Sequence, residues 1–209
     1  MFKGTFINRF LICFGNLYSK ALKLLWESRN DAIFIKIYFL KTILTPEELS
    51  ITIKRLARQI LEDRFSDLNN LAIIGIQPRG IHFSNRIVEE MRSLAGASQI
   101  QYGKLDITFY RDDVRSELHK ANQTDIPFSI ENKNVVLMDD VLYTGRTTRA
   151  AMDALMDYGR PARVELCVLI DRRFSREFPI QPDYCGKAID SINSQKVKVE
   201  WEKEEVVLY

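Results

Sequence analysis

Val135–Thr148 limits what this chain can fold into more than any other stretch. It opens with four consecutive apolar residues, Val135-Val136-Leu137-Met138, which read as a strand buried on both faces. Asp139 and Asp140 end the run. A short turn follows, Val141-Leu142-Tyr143-Thr144-Gly145-Arg146-Thr147-Thr148. Beyond it Ala150, Ala151, Ala154, Leu155 and Tyr158 recur at the spacing of a helix face. Strand, acidic pair, hydroxyl-rich turn and helix make a βα unit.

The chemistry of that turn is specific. A helix N-terminus presents unpaired N–H groups and a partial positive charge, and so attracts phosphate. Gly145 lets the backbone come close to a ligand. The hydroxyls of Thr144, Thr147 and Thr148 add donors. Asp139 and Asp140 repel phosphate but accept from vicinal hydroxyls, close to a metal-bound polyphosphate. A sugar with a terminal phosphate and two free hydroxyls satisfies both halves. The plain alternative is an ordinary βα turn with threonine caps. No Gly-Lys-Ser/Thr follows, which excludes a P-loop, and no Gly-x-Gly marks a dinucleotide site. The stretch resembles the 5-phosphoribosyl-1-pyrophosphate (PRPP) motif of type I phosphoribosyltransferases.

At 209 residues the chain can hold one good core plus an extension. Cys13, Cys167 and Cys185 are scattered, without the spacing of a zinc site or a disulfide framework, and they point to the cytoplasm. Cys167 lies in an apolar run and reads as a core residue. With only His82 and His119, a histidine metal site or a Ser/His/Asp triad has little support. The net charge of +2 is uneven. Residues 1–44 carry seven Lys and Arg against two acids, +5, which leaves −3 for the rest. Nucleic-acid binding by residues 45–209 would need a local patch.

Residues 1–44 are apolar, aromatic and basic. Phe10–Phe14 is too short for a signal peptide, and no apolar run is long enough to span a bilayer. Three readings stay open for this extension: a membrane-surface segment, an added helix, or upstream sequence translated from a wrongly chosen start. No Met occurs between Met1 and Met91, so a later start would need a non-AUG codon. The domain proper is 45–209. Thr45-Pro46-Glu47-Glu48 is a strong helix start, and Leu49, Ile53, Leu56, Ile60 and Leu61 form the apolar stripe. Lys54, Arg55, Arg58 and Arg64 lie opposite, where the plain reading is a solvated face. Leu71–Ile76 reads as a strand, then Gln77-Pro78-Arg79-Gly80 as a turn with an anion-binding backbone and a cation, then a helix from Ile81 to about Leu94. Ile100–Tyr110 reads as another strand. The polar stretch from Arg111 to about Asn122 reads as either a mobile lid or a plain connection. Gly159-Arg160-Pro161 stops the helix, Arg163–Ile170 is a buried strand, and short strands follow at 184–188, 196–201 and 206–208.

Several motifs then occur in order: Ile74–Ile81, Lys104–Asp113, Val135–Thr148, Ala151–Leu155, Gly159–Pro161, Val168–Arg172 and Pro179–Lys187. Over about residues 43–209 they resemble the PyrR family, bifunctional pyrimidine operon regulators and uracil phosphoribosyltransferases. The resemblance implies a type I phosphoribosyltransferase fold, a parallel sheet flanked by helices with a small hood. It implies conversion of uracil and PRPP to UMP and pyrophosphate with Mg²⁺, and uridine-nucleotide-dependent binding of pyrimidine-operon leader mRNA. It also implies a homodimer or higher homo-oligomer, and no membrane partner for 45–209. Asp139 and Asp140 would hold the ribose hydroxyls and stabilise a cationic sugar. Thr144, Gly145, Arg146, Thr147 and Thr148 would hold the 5′-phosphate, and Arg79 and Gly80 the pyrophosphate, helped by Arg111. The base is expected near Val141–Leu142, against backbone after Ile170. No residue is assigned as a direct metal ligand. The expected RNA contacts are Lys54, Arg55 and Arg58 on the first helix, and Arg172 and Arg173 in a loop that also holds Arg176. That loop departs from the family's Asp-Arg-Gly-His-Arg-Glu pattern: it is one residue longer and carries Phe174. The alternatives are an RNA-binding attenuator with vestigial catalysis, or a phosphoribosyltransferase for another base.

Overall fold

The computed structural model describes residues 41–95, 100–112, 122–192 and 194–209. The expectations for residues 1–40, and for most of the lid with Arg115, His119 and Lys120, lie outside them. The strands are β1 (Lys41–Leu44), β2 (Leu71–Ile76), β3 (Gln101–Leu105), β4 (Asn134–Leu142), β5 (Arg163–Arg173), β6 (Tyr184–Asp190), β7 (Val197–Glu200) and β8 (Glu205–Leu208). The helices are α1 (Pro46–Asp63), α2 (Gly80–Ala95) and α3 (Arg146–Leu155). Five strands form an all-parallel sheet in the order β3-β2-β4-β5-β6, as expected for this fold class. A separate antiparallel sheet, β1-β8-β7, is the smaller layer. Because Lys41–Leu44 pairs with β8 and buries Ile43 and Leu44, these residues belong with the domain that follows.

The period of two along each strand sorts the core. Ile73, Val136, Met138, Cys167 and Leu169 face α1 and α2. Ile74, Val135, Leu137, Leu166 and Val168 face α3 with Ile107 and Ile130. Covering both faces is what lets β2, β4 and β5 be almost continuously apolar. The start of α1 is set as its sequence predicts. Thr45 Oγ1 accepts from Glu48 N at 3.3 Å, and the Glu48 carboxylate accepts from Thr45 N at 2.9 Å.

Three strand ends differ from expectation. β3 ends at Leu105, and Thr108–Tyr110 is a 3₁₀ turn rather than strand. The reason is Asp106. Its buried carboxylate accepts from Thr108 Oγ1 at 2.7 Å and from Asn122 N at 3.1 Å, so local side-chain bonds replace the ladder. β4 does not stop at the acids; it runs through them to Leu142, and β5 likewise runs through Asp171 to Arg173.

The strand order places the site. From β2 the chain crosses α2 to β3 on one side. It then returns to β4 on the other side of β2 and continues outward to β5 and β6. The carboxyl ends of β2 and β4 are therefore neighbours at the point where the winding reverses, which is where open α/β sheets bind ligands.

Candidate active site

Three loops meet at that edge. The loop after β2 carries a cis Gln77–Pro78 peptide, then exposed Arg79, then Gly80 as the first residue of α2. Gly80 has a stricter reason to be glycine than approach to an anion. A Cβ there would stand 2.5 Å from Met138 O and 3.1 Å from Asp139 Cα, so only glycine lets α2 begin against β4.

The acid pair sits in the carboxyl-terminal half of β4, with Asp139 7% and Asp140 5% exposed. Asp139 Oδ1 accepts from Asp140 N at 2.9 Å. Burial pushes Asp139 well above the ordinary carboxylate range, and the charge of Asp140 adds to this. Burial also raises Asp140, opposed chiefly by the positive charge of Arg79. Two buried carboxyls beside one cation are poised for an electron-poor or hydroxyl-bearing ligand.

The loop after β4 ends in a left-handed residue, Gly145 at φ 91°, which is the N-cap of α3. Gly145 has no side chain with which to cap this helix; Arg146 N donates to Thr144 Oγ1 at 3.4 Å, and the first turn faces the loop. Thr148 is 3% exposed, and its Oγ1 is buried without a protein partner. Arg111 donates to Thr147 Oγ1 at 3.4 Å, bringing the segment after β3 onto this loop. The Arg146 side chain pairs with Glu177 (Nε to Oε2, 2.6 Å) and with Asp112 at 3.1 Å, and its backbone N–H donates to Thr144 Oγ1.

The expected RNA residues separate. Lys54 and Arg58 are exposed on α1. Arg55 is exposed as well, but its guanidinium donates to Cys185 O at 3.0 Å and Gly186 O at 2.8 Å, tying α1 to β6. Arg172 is not on a surface. It is 5% exposed, stacks 4.0 Å from the Tyr143 ring centroid, and donates to Ser191 Oγ, Ile192 O and Gln195 O. Burial lowers its affinity for its proton. Arg173 is exposed but paired with Asp190 at 2.8 Å. The long loop places Phe174 at φ 65° with its ring in solvent. One group went unnoticed in the sequence, and another was noted only as a member of the basic loop. Asp106, in an Asp-x-Thr spacing that signals a local turn, holds Thr108 and the backbone N–H of Asn122 together. Arg176 gathers carbonyls from three segments, and no local pattern announces that.

A family model described as a phosphoribosyl transferase domain matches residues 40–204. The bifunctional protein PyrR of Picosynechococcus sp. is 48% identical over 158 residues, 75% of this chain and 88% of that protein. Its counterpart in Deinococcus deserti is 46% identical over 160 residues, 76% and 86% of the two chains. The chain belongs to the PyrR family. Solved structures agree on the fold. The hypoxanthine phosphoribosyltransferase of Trypanosoma cruzi superposes with TM-score 0.62 at 19% identity, covering 80% of this chain and 95% of that one. A hypoxanthine phosphoribosyltransferase from Staphylococcus aureus gives 0.57 at 22% identity over 73% and 79%. PyrR membership thus rests on the sequence relatives, and the parallel sheet with its helices on the superpositions.

Proposed function

We propose that this PyrR-family chain transfers the phosphoribosyl group of PRPP to uracil, giving UMP and pyrophosphate, and binds pyrimidine-operon leader mRNA in response to uridine nucleotide. The single observation carrying the catalytic half is the juxtaposition at the β2/β4 edge: an acid pair, a cation loop and a helix N-terminus that starts from a left-handed glycine and holds an orphaned buried hydroxyl. The N–H groups after Gly145 and the hydroxyls of Thr144, Thr147 and Thr148 hold the 5′-phosphate. Asp139 and Asp140 accept from the ribose hydroxyls, and their charge stabilises the sugar as its C1–oxygen bond loosens. Arg79, with the backbone at Gly80, holds the leaving pyrophosphate. Arg111, which already reaches Thr147, joins it.

The residues fit Mg²⁺ as a substrate-borne ion. Among the described residues no group of three acids, His or Cys can hold a metal alone. Mg²⁺ is commonly bound through one or two carboxylates plus substrate phosphates, and the acid pair suits that. When bound it neutralises charge on the pyrophosphate. No described helix is long and apolar enough to cross a membrane, and we assign the activity to the cytoplasm, where leader mRNA is met.

The base is tested by measuring PRPP-dependent nucleotide formation with uracil, hypoxanthine and guanine. UMP formation is the expected product, and turnover only with a purine would reject the uracil assignment. For the regulatory half, Lys54 and Arg58 support an RNA face better than Arg55, Arg172 or Arg173. UMP-dependent binding to the leader RNA that weakens with salt is the expected signature.

A further inference from the structure

The loop after β5 and the phosphate loop after β4 are held together as one piece, and a single side chain does most of the holding. All three nitrogens of the half-buried Arg176 guanidinium donate. Nε donates to Ile180 O at 3.0 Å. Nη1 donates to Tyr143 O, to Arg172 O at 2.9 Å and to Leu142 O at 3.4 Å. Nη2 pairs with the Asp171 carboxylate. The acceptors come from the end of β4, the end of β5 and the loop itself. Further ties run alongside. Glu177 N and Phe178 N donate to Thr144 O at 2.9 and 3.2 Å. The Glu177 carboxylate holds Arg146, and Phe178 and Ile180 pack on Gly145 so closely that a Cβ there would stand 3.3 Å from each.

A planar fork with all its nitrogens bonded has little freedom left and sets the spacing of whatever it joins. On one side it fixes Tyr143 and Thr144, which lead into the 5′-phosphate loop. On the other it fixes Asp171 and Arg172, where the base is expected. We propose that Arg176 is a positioning residue that sets the distance between the phosphate-binding and base-binding ends of the nucleotide site. This rests on the reading of the site as a phosphoribosyltransferase. Its guanidinium acts through backbone carbonyls, so it shapes the site for every bound state in which the 5′-phosphate is gripped.

Arg176→Lys keeps the charge but cannot bridge these acceptors. By calorimetry with PRPP and with UMP as probes, both dissociation constants should rise together, by about tenfold. At saturating PRPP and uracil, kcat should stay within about threefold, because no contact to the reacting atoms is lost. A fall in kcat with both affinities unchanged would show that Arg176 touches the reacting atoms, and would overturn the proposal. So would a lower melting temperature with binding and kinetics unaltered. If Arg176→Lys does not fold, Glu177→Gln cuts one parallel tie, and both dissociation constants should rise by about threefold. No change in either would overturn the proposal as well. A wild-type protein that uses a purine in place of uracil would reject the base assignment yet leave the PRPP comparison intact.

Discussion

Two sets of buried carboxylates lie at opposite ends of the same sheet. Near the amino end of β5, Glu165 is 3% exposed and surrounded by partners. Arg64, at the end of α1, and Arg163, at 3.0 Å, both pair with it, and the Tyr184 hydroxyl donates to it at 3.4 Å. At the carboxyl end of β4, Asp139 and Asp140 are equally buried, but the cation that acts on them, Arg79, does so through its field and not through a contact. A matched buried charge closes a fold; an unmatched pair is held at a cost by the structure around it and is completed by a ligand. The two ends should therefore answer oppositely to the same kind of substitution.

The largest expected effect is on chemistry. Asp140→Asn should lower kcat by about 10²–10³-fold with the melting temperature unchanged or higher, read by UMP formation and thermal melting. Turnover within a few-fold of wild type would break the contrast. At the other end, Arg64→Ala leaves a buried carboxylate short of its main partner and should cost about 3 kcal/mol of stability, read by urea unfolding, with kcat at 25 °C unaltered. Lys54→Ala with Arg58→Ala, away from both acid sites, should weaken leader-RNA binding and lower its salt slope by about two while turnover persists. Arg172→Ala is no substitute, because it empties a buried site. The smallest effect sharpens the point. Asp139 has a raised folded-state affinity for its proton, from burial first and Asp140 second. Its ionisation penalty is absent below the ordinary carboxylate range, where it is protonated folded or unfolded, and grows as pH rises through the folded value. Asp139→Asn should thus raise the melting temperature near neutral pH by about 2–4 °C, and the gain should shrink on acidification. A constant gain at all pH would locate the effect in packing.

The contrast also explains what was legible in the sequence. The unmatched pair announces itself, because two acids at the end of Val135–Met138 have no local reason to be there. Glu165 and Arg64 do not, since their partners are about a hundred residues apart and only the sheet joins them. The capped start of α1 and the buried strands follow from local rules of capping and periodicity. Ends of strands were less legible. β3 stops early because Asp106 finds Thr108 and Asn122, and β4 and β5 run on because neighbouring ladders continue past their apolar runs.

By itself, then, the sequence determined the local chemistry: a βα turn that fits a sugar phosphate, a cation loop ahead of it, and the family. Tertiary structure decided which of the charges are free to act on a ligand. Arg172 looked like one more surface arginine, but hydrogen bonds to Ser191, Ile192 and Gln195 and the Tyr143 ring take it inward. Arg176 looked like its neighbour and proved to join three segments. The reason is physical. A guanidinium's role is set by the carbonyls and carboxylates it can reach, and those come from strands that only the folded sheet brings side by side.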